Sequence, residues 1–158
     1  MSMRRKDKEI TDNQVLREVL RAAKVCRLGM CSLEGEPYLV PLCPAYLEEE
    51  HALYFHGSRG GKKHALLREN PRACFEIEEE VTLVENEDPC EWGMRYRSLI
   101  GFGRAEFLES PEEKQRGLRI IVEHYSGKPS EHTFPEQMLQ RLEIFRIPIE
   151  SLTGRQSL

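Results

Sequence analysis

Tyr54-Phe-His-Gly-Ser-Arg-Gly-Gly-Lys-Lys-His-Ala-Leu-Leu-Arg-Glu-Asn-Pro71 runs from an apolar strand end through a glycine turn into a short basic helix. The spacing predicts a helix that opens near Gly61 or Lys62 and buries Leu66 and Leu67. It stops at Asn70-Pro71, because proline cannot extend a helix and restricts the residue before it. Arg59, Lys62, Lys63 and His64 gather at the helix N-terminus, where unpaired N–H groups already carry partial positive charge. Like charges there raise the energy of the turn, and a bound anion reverses that sign. Gly57, Gly60 and Gly61 permit close backbone approach, which allows successive N–H groups to form an anion nest. A mobile turn followed by a solvated basic helix end fits the same residues. A triphosphate loop does not, because three residues separate Gly57 from Gly61 where that loop needs four, and Lys62 is followed by Lys63 rather than Ser or Thr. The anion this turn suits is a terminal monophosphate.

Towards the N-terminus, Ala45–Leu47 and Ala52–Phe55 form a hairpin around Glu48-Glu-Glu-His51, and this hairpin delivers His56 at its far end. Before it, Val25–Cys31 and Pro37–Leu42 flank a turn at Glu34-Gly35 and read as a second antiparallel hairpin. Gly29 and Pro41 interrupt that hairpin. Proline cannot donate to a ladder and belongs on an edge or bulge, while a strand glycine marks either close approach by a ligand or backbone, or a plain irregular edge. Thr11 and Gln14 suggest a capping box for a first helix, with Val15, Leu16, Val19, Leu20 and Ala23 as its apolar stripe and an end near Lys24.

Towards the C-terminus, Arg72–Glu78 alternates as a half-buried strand, with Ala73, Phe75 and Ile77 on one face. Residues 85–95 read as a polar loop holding the single tryptophan, Trp92, as a lid, an interface or a core plug. Tyr96–Phe107 is the longest strand, whose small face (Leu99, Gly101, Gly103, Ala105) can approach something flat. Ser110-Pro-Glu-Glu113 opens a helix that turns Leu118, Ile121, Val122 and Tyr125 inward and stops at Gly127. A short helix near Pro135–Arg141, a closing strand Leu142–Ile147 and an ordered tail over Glu150–Arg155 complete the chain. About seven strands joined mostly by hairpins, with helices early and late, indicate a mainly β fold: an antiparallel barrel with peripheral helices.

The 158 residues make one domain, residues 1–158, with 39% hydrophobic and 32% charged residues, a polar balance that suits a core shared in a dimer. A net charge of −4 and a pI near 5.8 offer no general attraction to nucleic acid or to an anionic membrane. Five cysteines without a C-x-x-C, and histidines without paired spacing, indicate neither a disulfide framework nor a metal site. Arg4, Arg5 and Lys6 are followed by polar Asp7–Gln14 rather than an apolar signal segment, so a soluble, cytoplasmic protein with reduced thiols is expected.

Met3–Asp12, Pro37–Leu42, Leu53–Gly57, Gly61-Lys-Lys63 with Asn70-Pro71, Arg97-Ser98 before Phe102-Gly-Arg104, and Leu152–Arg155 occur in order along nearly the whole chain. This set resembles the pyridoxamine 5′-phosphate oxidase-like FMN-binding split barrels, in particular their nitroimidazole-resistance branch. The resemblance implies a six-stranded antiparallel split β-barrel and a homodimer with two FMN molecules in clefts between the subunits. It implies that Lys63 holds the FMN phosphate, that Ser58 lends a hydroxyl and N–H groups, and that Arg97 and Ser98 lie on the phosphate side. Pro41 and Leu42 match the strand whose backbone meets the isoalloxazine edge, with Leu28 and Gly29 beneath it. His56 matches a histidine placed near flavin and substrate. Read from its position alone, His56 is a strand-end histidine satisfied by backbone. Cys43-Pro44 departs from the pattern, since many relatives continue with a polar residue and an aromatic. The implied activity is transfer of electrons from a reduced nicotinamide donor through FMN to a small, flat electrophile such as a nitro-aromatic. Alternatives are a non-catalytic flavin or haem carrier or sensor, and oxidation of a pyridoxal-type amine, for which no second phosphate clamp is evident.

Overall fold

The computed structural model describes residues 5–158, so Met3 and Arg4 of the N-terminal motif lie outside the described residues. A 3-10 turn leads into β1 (Glu9–Ile10) and α1 (Asn13–Ala22), followed by β2 (Cys26–Cys31), β3 (Pro37–Leu42), β4 (Ala45–Leu47) and β5 (Ala52–Ser58). Then come α2 (Lys62–Glu69), β6 (Arg72–Val84), β7 (Gly93–Arg104), β8 (Glu106–Phe107), α3 (Pro111–Ser126), α4 (Glu136–Arg141) and β9 (Leu142–Ser157). Every strand pairing is antiparallel, in the order β3-β2-β6-β7-β9-β5-β4, with β1 and β8 attached to β9. The fold is a split β-barrel with peripheral helices, and its strand path is longer than the six strands expected.

Strand β9 joins the two halves. Its first part, Leu142–Pro148, pairs with β5, and the remainder, from Ile149, pairs with β7 after a register shift at Phe102/Gly103. The tail over Glu150–Arg155 is therefore a strand. Alternation along the strands turns Leu28, Phe75, Ile77, Leu99, Phe145 and Ile147 into the barrel, where each is fully buried. Helix α1 closes one end with Leu16, Val19 and Leu20.

Several local expectations change. Helix α1 is capped by Asp12, whose carboxylate accepts the Gln14 N–H at 2.8 Å, because Asp12 rather than Thr11 adopts the extended cap position. The small face of β7 does meet something flat, but inside the barrel. A side chain at Gly101 would lie 2.1 Å from the Phe75 ring, and one at Gly103 would lie 2.2 Å from the Pro148 carbonyl oxygen. The Ser110 capping box and the left-handed Gly127 stop of α3 occur as expected. Its buried residues, however, are Gly117, Leu118, Ile120 and Ile121, while Val122 and Tyr125 are exposed, the Tyr125 hydroxyl donating to the Pro44 carbonyl at 2.7 Å. The 85–95 loop is shorter than expected, because β6 continues to Val84 and β7 begins at Gly93 to form an extended arm with Trp92 exposed near its tip.

Candidate functional site

Gly60 takes a φ of +83°, the left-handed region that a side chain disfavours, and sets the direction of the turn before α2. Gly61 caps the helix without any side-chain hydrogen bond. The His64 and Ala65 N–H groups both return to the Gly61 carbonyl, at 3.0 and 3.3 Å, and the first N–H groups ahead of them have no intrahelical acceptor. A Cβ on Gly57 would stand 3.0 Å from Lys63 Nζ and 3.2 Å from His64 Cε1. A Cβ on Gly61 would stand 3.6 Å from His64 Nδ1 and 3.8 Å from Lys63 Nζ. The ammonium and the imidazole edge thus converge on the space that both glycines leave open. Among the described residues Lys63 has no ion pair, whereas Arg59 reaches Glu143 at 4.0 Å. Ser58 is exposed at the start of the turn.

His64 is not the surface cation that its place in the basic run suggests. Only 2% exposed, it lies edge-on to Phe107 and Phe145, with ring centroids 6.2 and 5.9 Å away, and neither ring nitrogen has a hydrogen-bond partner among the described residues. Burial lowers its pKa first and the Lys63 charge adds to this, so the ring is neutral near pH 7. The signal was present in the sequence, because His64 and Leu67 are three residues apart and share the inward face of α2. His56 stands exposed at the end of β5, opposite Ile144. Desolvation and then the charge of Lys63 lower its pKa too.

Helix α2 packs on β2, and Lys62 Nζ lies 4.8 Å over the Tyr38 ring of β3, so the turn adjoins the start of that strand. Strand β3 ends the sheet path, pairing with β2 alone among the described residues. Pro41, exposed and opposite Arg27, therefore occupies the edge its missing N–H requires, and Leu42 is half-buried against the core. Gly29 does not interrupt β2, which is paired through this position to Leu39 on one side and Cys74 on the other. Leu28 is fully buried in the core and pairs with Val40 of β3. Gly29 lines a cleft of about 600 Å³ on the outer sheet face together with Tyr38, Leu39, Cys74, Phe102 and Arg104. Leu39, Ile100 and Phe102, which sequence reasoning did not assign to the site, are apolar side chains 64%, 46% and 47% exposed on this outer face.

Arg97 and Ser98 lie elsewhere. Gly57 pairs with Glu143 and Arg97 with Gln156, positions 13 residues apart along β9. At about 3.3 Å per residue this is roughly 40 Å of strand, shortened by its bend. Arg97 reaches Glu80 at 3.4 Å, and its Nε is buried with no hydrogen-bond partner among the described residues. One chain therefore gathers His56, Ser58 and Lys63 around the turn before α2, with Lys62 reaching Tyr38 near the start of β3, and leaves Arg97 and Ser98 towards the other end of β9. The uncapped helix start, the unpaired ammonium and the orphaned imidazole fit a phosphate monoester. No cluster of three or more potential metal ligands occurs among the described residues, and no described helix is long and apolar enough to cross a membrane.

The sequence family described as pyridoxamine 5′-phosphate oxidase matches residues 12–156. No curated protein matches the chain significantly by sequence. A proposed 5-nitroimidazole antibiotic resistance protein from Bacteroides thetaiotaomicron superposes with a TM-score of 0.79 at 29% identity, over 92% of this chain and 84% of that one. A FAD-binding protein from Mesorhizobium loti gives 0.65 at 26% identity, over 93% and 96% of the two chains. A FAD- and haem-binding protein from Mycobacterium smegmatis gives 0.82 at 18% identity, over 95% and 73%, a likeness of fold.

Proposed function

Since the chain belongs to the pyridoxamine 5′-phosphate oxidase family, we propose that it binds FMN and acts as an oxidoreductase. In this reading it passes electrons from a reduced nicotinamide donor to a small, flat electrophile such as a nitro-aromatic. The observation that carries the proposal is the convergence of the unpaired Lys63 ammonium and the uncapped α2 N-terminus on the space over Gly57 and Gly61, beside the open β3 edge. A single terminal phosphate suits that space, which favours FMN over a dinucleotide flavin. The similarity to a proposed nitroimidazole-resistance protein supports the choice of acceptor.

Bound flavin supplies the electron transfer, and the protein fixes its position, charge environment and solvent access. Lys63, Ser58 and the turn N–H groups anchor the phosphate. The edge of β3 at Pro41 and Leu42 supports the ring system, with Leu28 and Gly29 behind it. His56, neutral and exposed near Lys63, orients substrate or accepts and returns a proton.

The site is completed in a homodimer. The exposed apolar side chains of Leu39, Ile100 and Phe102 support burial of the outer sheet face against a second copy. The separation of Arg97 and Ser98 from Lys63 within one chain supports their delivery to the flavin of the other copy.

Two measurements test this reading. FMN should co-purify or rebind, and light scattering should give twice the 18.4 kDa chain mass. Steady-state oxidation of NADH or NADPH with a nitro-aromatic acceptor should then show turnover. Flavin binding without turnover would favour a carrier or sensor, and a protein that refuses FMN would end the proposal.

A further inference from the structure

We propose that His64 forms the buried floor of the anion site and donates a hydrogen bond from Nδ1 to the phosphate held over the Gly57–Gly61 turn. This rests on the phosphate reading above and assigns a role to a residue which that reading leaves unused. A neutral imidazole has one donor and one acceptor, and burying both without partners carries a desolvation cost that an apolar side chain would avoid. Leu67, one turn further along the same face, shows that the interior accepts an aliphatic residue there. The orientation of the ring is informative. Its Nδ1–Cε1 edge faces the turn, with Nδ1 3.6 Å from the Cβ position of Gly61 and Cε1 3.2 Å from that of Gly57, while Lys63 Nζ lies 3.8 and 3.0 Å from the same two positions.

Among the described residues neither ring nitrogen of His64 has a hydrogen-bond partner. The charged groups facing His64 are Lys63 and Arg68 from its own helix and Glu143 from β9, and Phe107 and Phe145 supply the aromatic walls. Lys63 and Arg68 are donors themselves. Glu143, the one acceptor among them, is taken by Arg68 at 2.7 Å and approached by Arg59. An anion oxygen placed between Lys63 Nζ and His64 Nδ1 satisfies both groups, and does so with the ring neutral. Binding then favours the protonated ring as well, because a dianion beside the imidazole stabilises the imidazolium.

The decisive experiment follows the His64 ring by nitrogen-15 NMR in the full-length protein, titrated with pH alone, with millimolar inorganic phosphate, with FMN and with riboflavin. Phosphate and FMN should each shift the Nδ1 signal and raise the pH at which His64 titrates. Riboflavin, which lacks the phosphate, should do neither. In parallel, His64→Phe, which keeps an aromatic ring against Phe107 and Phe145, should weaken FMN binding about tenfold, as expected for one lost charge-assisted hydrogen bond. It should leave riboflavin binding unchanged, and His64→Asn, with an amide near the Nδ1 position, should recover part of the loss. If wild-type protein binds FMN while the His64 resonances and titration stay unmoved, the inference falls and the phosphate site stands. If neither FMN nor phosphate binds wild-type protein, both fall. The NMR titration needs no variant, so a His64→Phe protein that fails to fold does not remove the test.

Discussion

Gly57→Ala separates the phosphate site from the stability of the fold. Gly57 has no positive φ and pairs with Glu143 in a regular ladder, so alanine suits its backbone. The new methyl group would meet Lys63 Nζ at 3.0 Å, Lys63 Cε at 3.1 Å and His64 Cε1 at 3.2 Å, each a few tenths of an ångström too close. The end of a lysine side chain moves easily, whereas the buried His64 ring yields less. Lower entropy in the unfolded chain stabilises an alanine by about 0.4–1 kcal/mol where the conformation is compatible, which offsets the crowding. The net change in stability should therefore stay within about 1 kcal/mol, or roughly 2–4 °C in Tm. The ammonium, however, can no longer rest over the turn. Loss of a charge-assisted contact worth about 1.5–3 kcal/mol should weaken FMN binding by about ten- to a hundredfold. Flavin-fluorescence titration and thermal denaturation of the same preparation report both quantities. A folded Gly57→Ala protein that binds FMN as tightly as wild type would refute the placement of the phosphate.

Removing the charge itself, Lys63→Ala should likewise weaken FMN binding by about ten- to a hundredfold, read by the same titration. His56→Ala should leave FMN affinity nearly intact and reduce turnover with a nitro-aromatic acceptor, and full activity with every acceptor would return His56 to a structural role. Gly101→Ala drives a methyl into the fully buried Phe75 ring and should cost about 1–3 kcal/mol in chemical denaturation, with Phe75→Leu in the same chain recovering part of it. His51, His56, His64 and His124 all have pKa values lowered chiefly by burial, so on acidification the unfolded chain takes up protons first. Stability should be full above about pH 6.5 and fall below it, and His64→Phe should flatten that slope by at most about 1.4 kcal/mol per pH unit; greater stability at pH 5.5 than at pH 7.5 would contradict the assignment.

Elements with a strict period or an unambiguous stop were legible in the sequence. The alternation of Ala73, Phe75 and Ile77 places β6, Ser110 and Gly127 bracket α3, and Asn70-Pro71 ends α2, because each signal is local and survives any tertiary arrangement. What tertiary contact decides was not legible. Gly101 and Gly103 look like a ligand platform until the strand opposite supplies Phe75 and the bend of β9 supplies Pro148. Val122 and Tyr125 match the helical period of α3, yet the face that meets β4 and β5 is set by Gly117 and Ile120. At the site, the charge pattern around Lys63 raised an anion site beside a solvated basic helix end as readings of the same residues. Charge composition placed His64 among the surface cations, although its three-residue spacing from Leu67 carried the inward signal, and nothing local could show that Arg97 lies at the far end of β9.

The central claim is that the turn before α2 holds the phosphate of FMN, and titrating flavin-free protein with FMN, FAD and riboflavin tests it most directly. Tightest binding to FMN is expected, with riboflavin weaker by at least about tenfold, since it lacks the group that Lys63 and the helix N-terminus hold. Equal affinity for FMN and riboflavin, or no binding of FMN, would contradict the account.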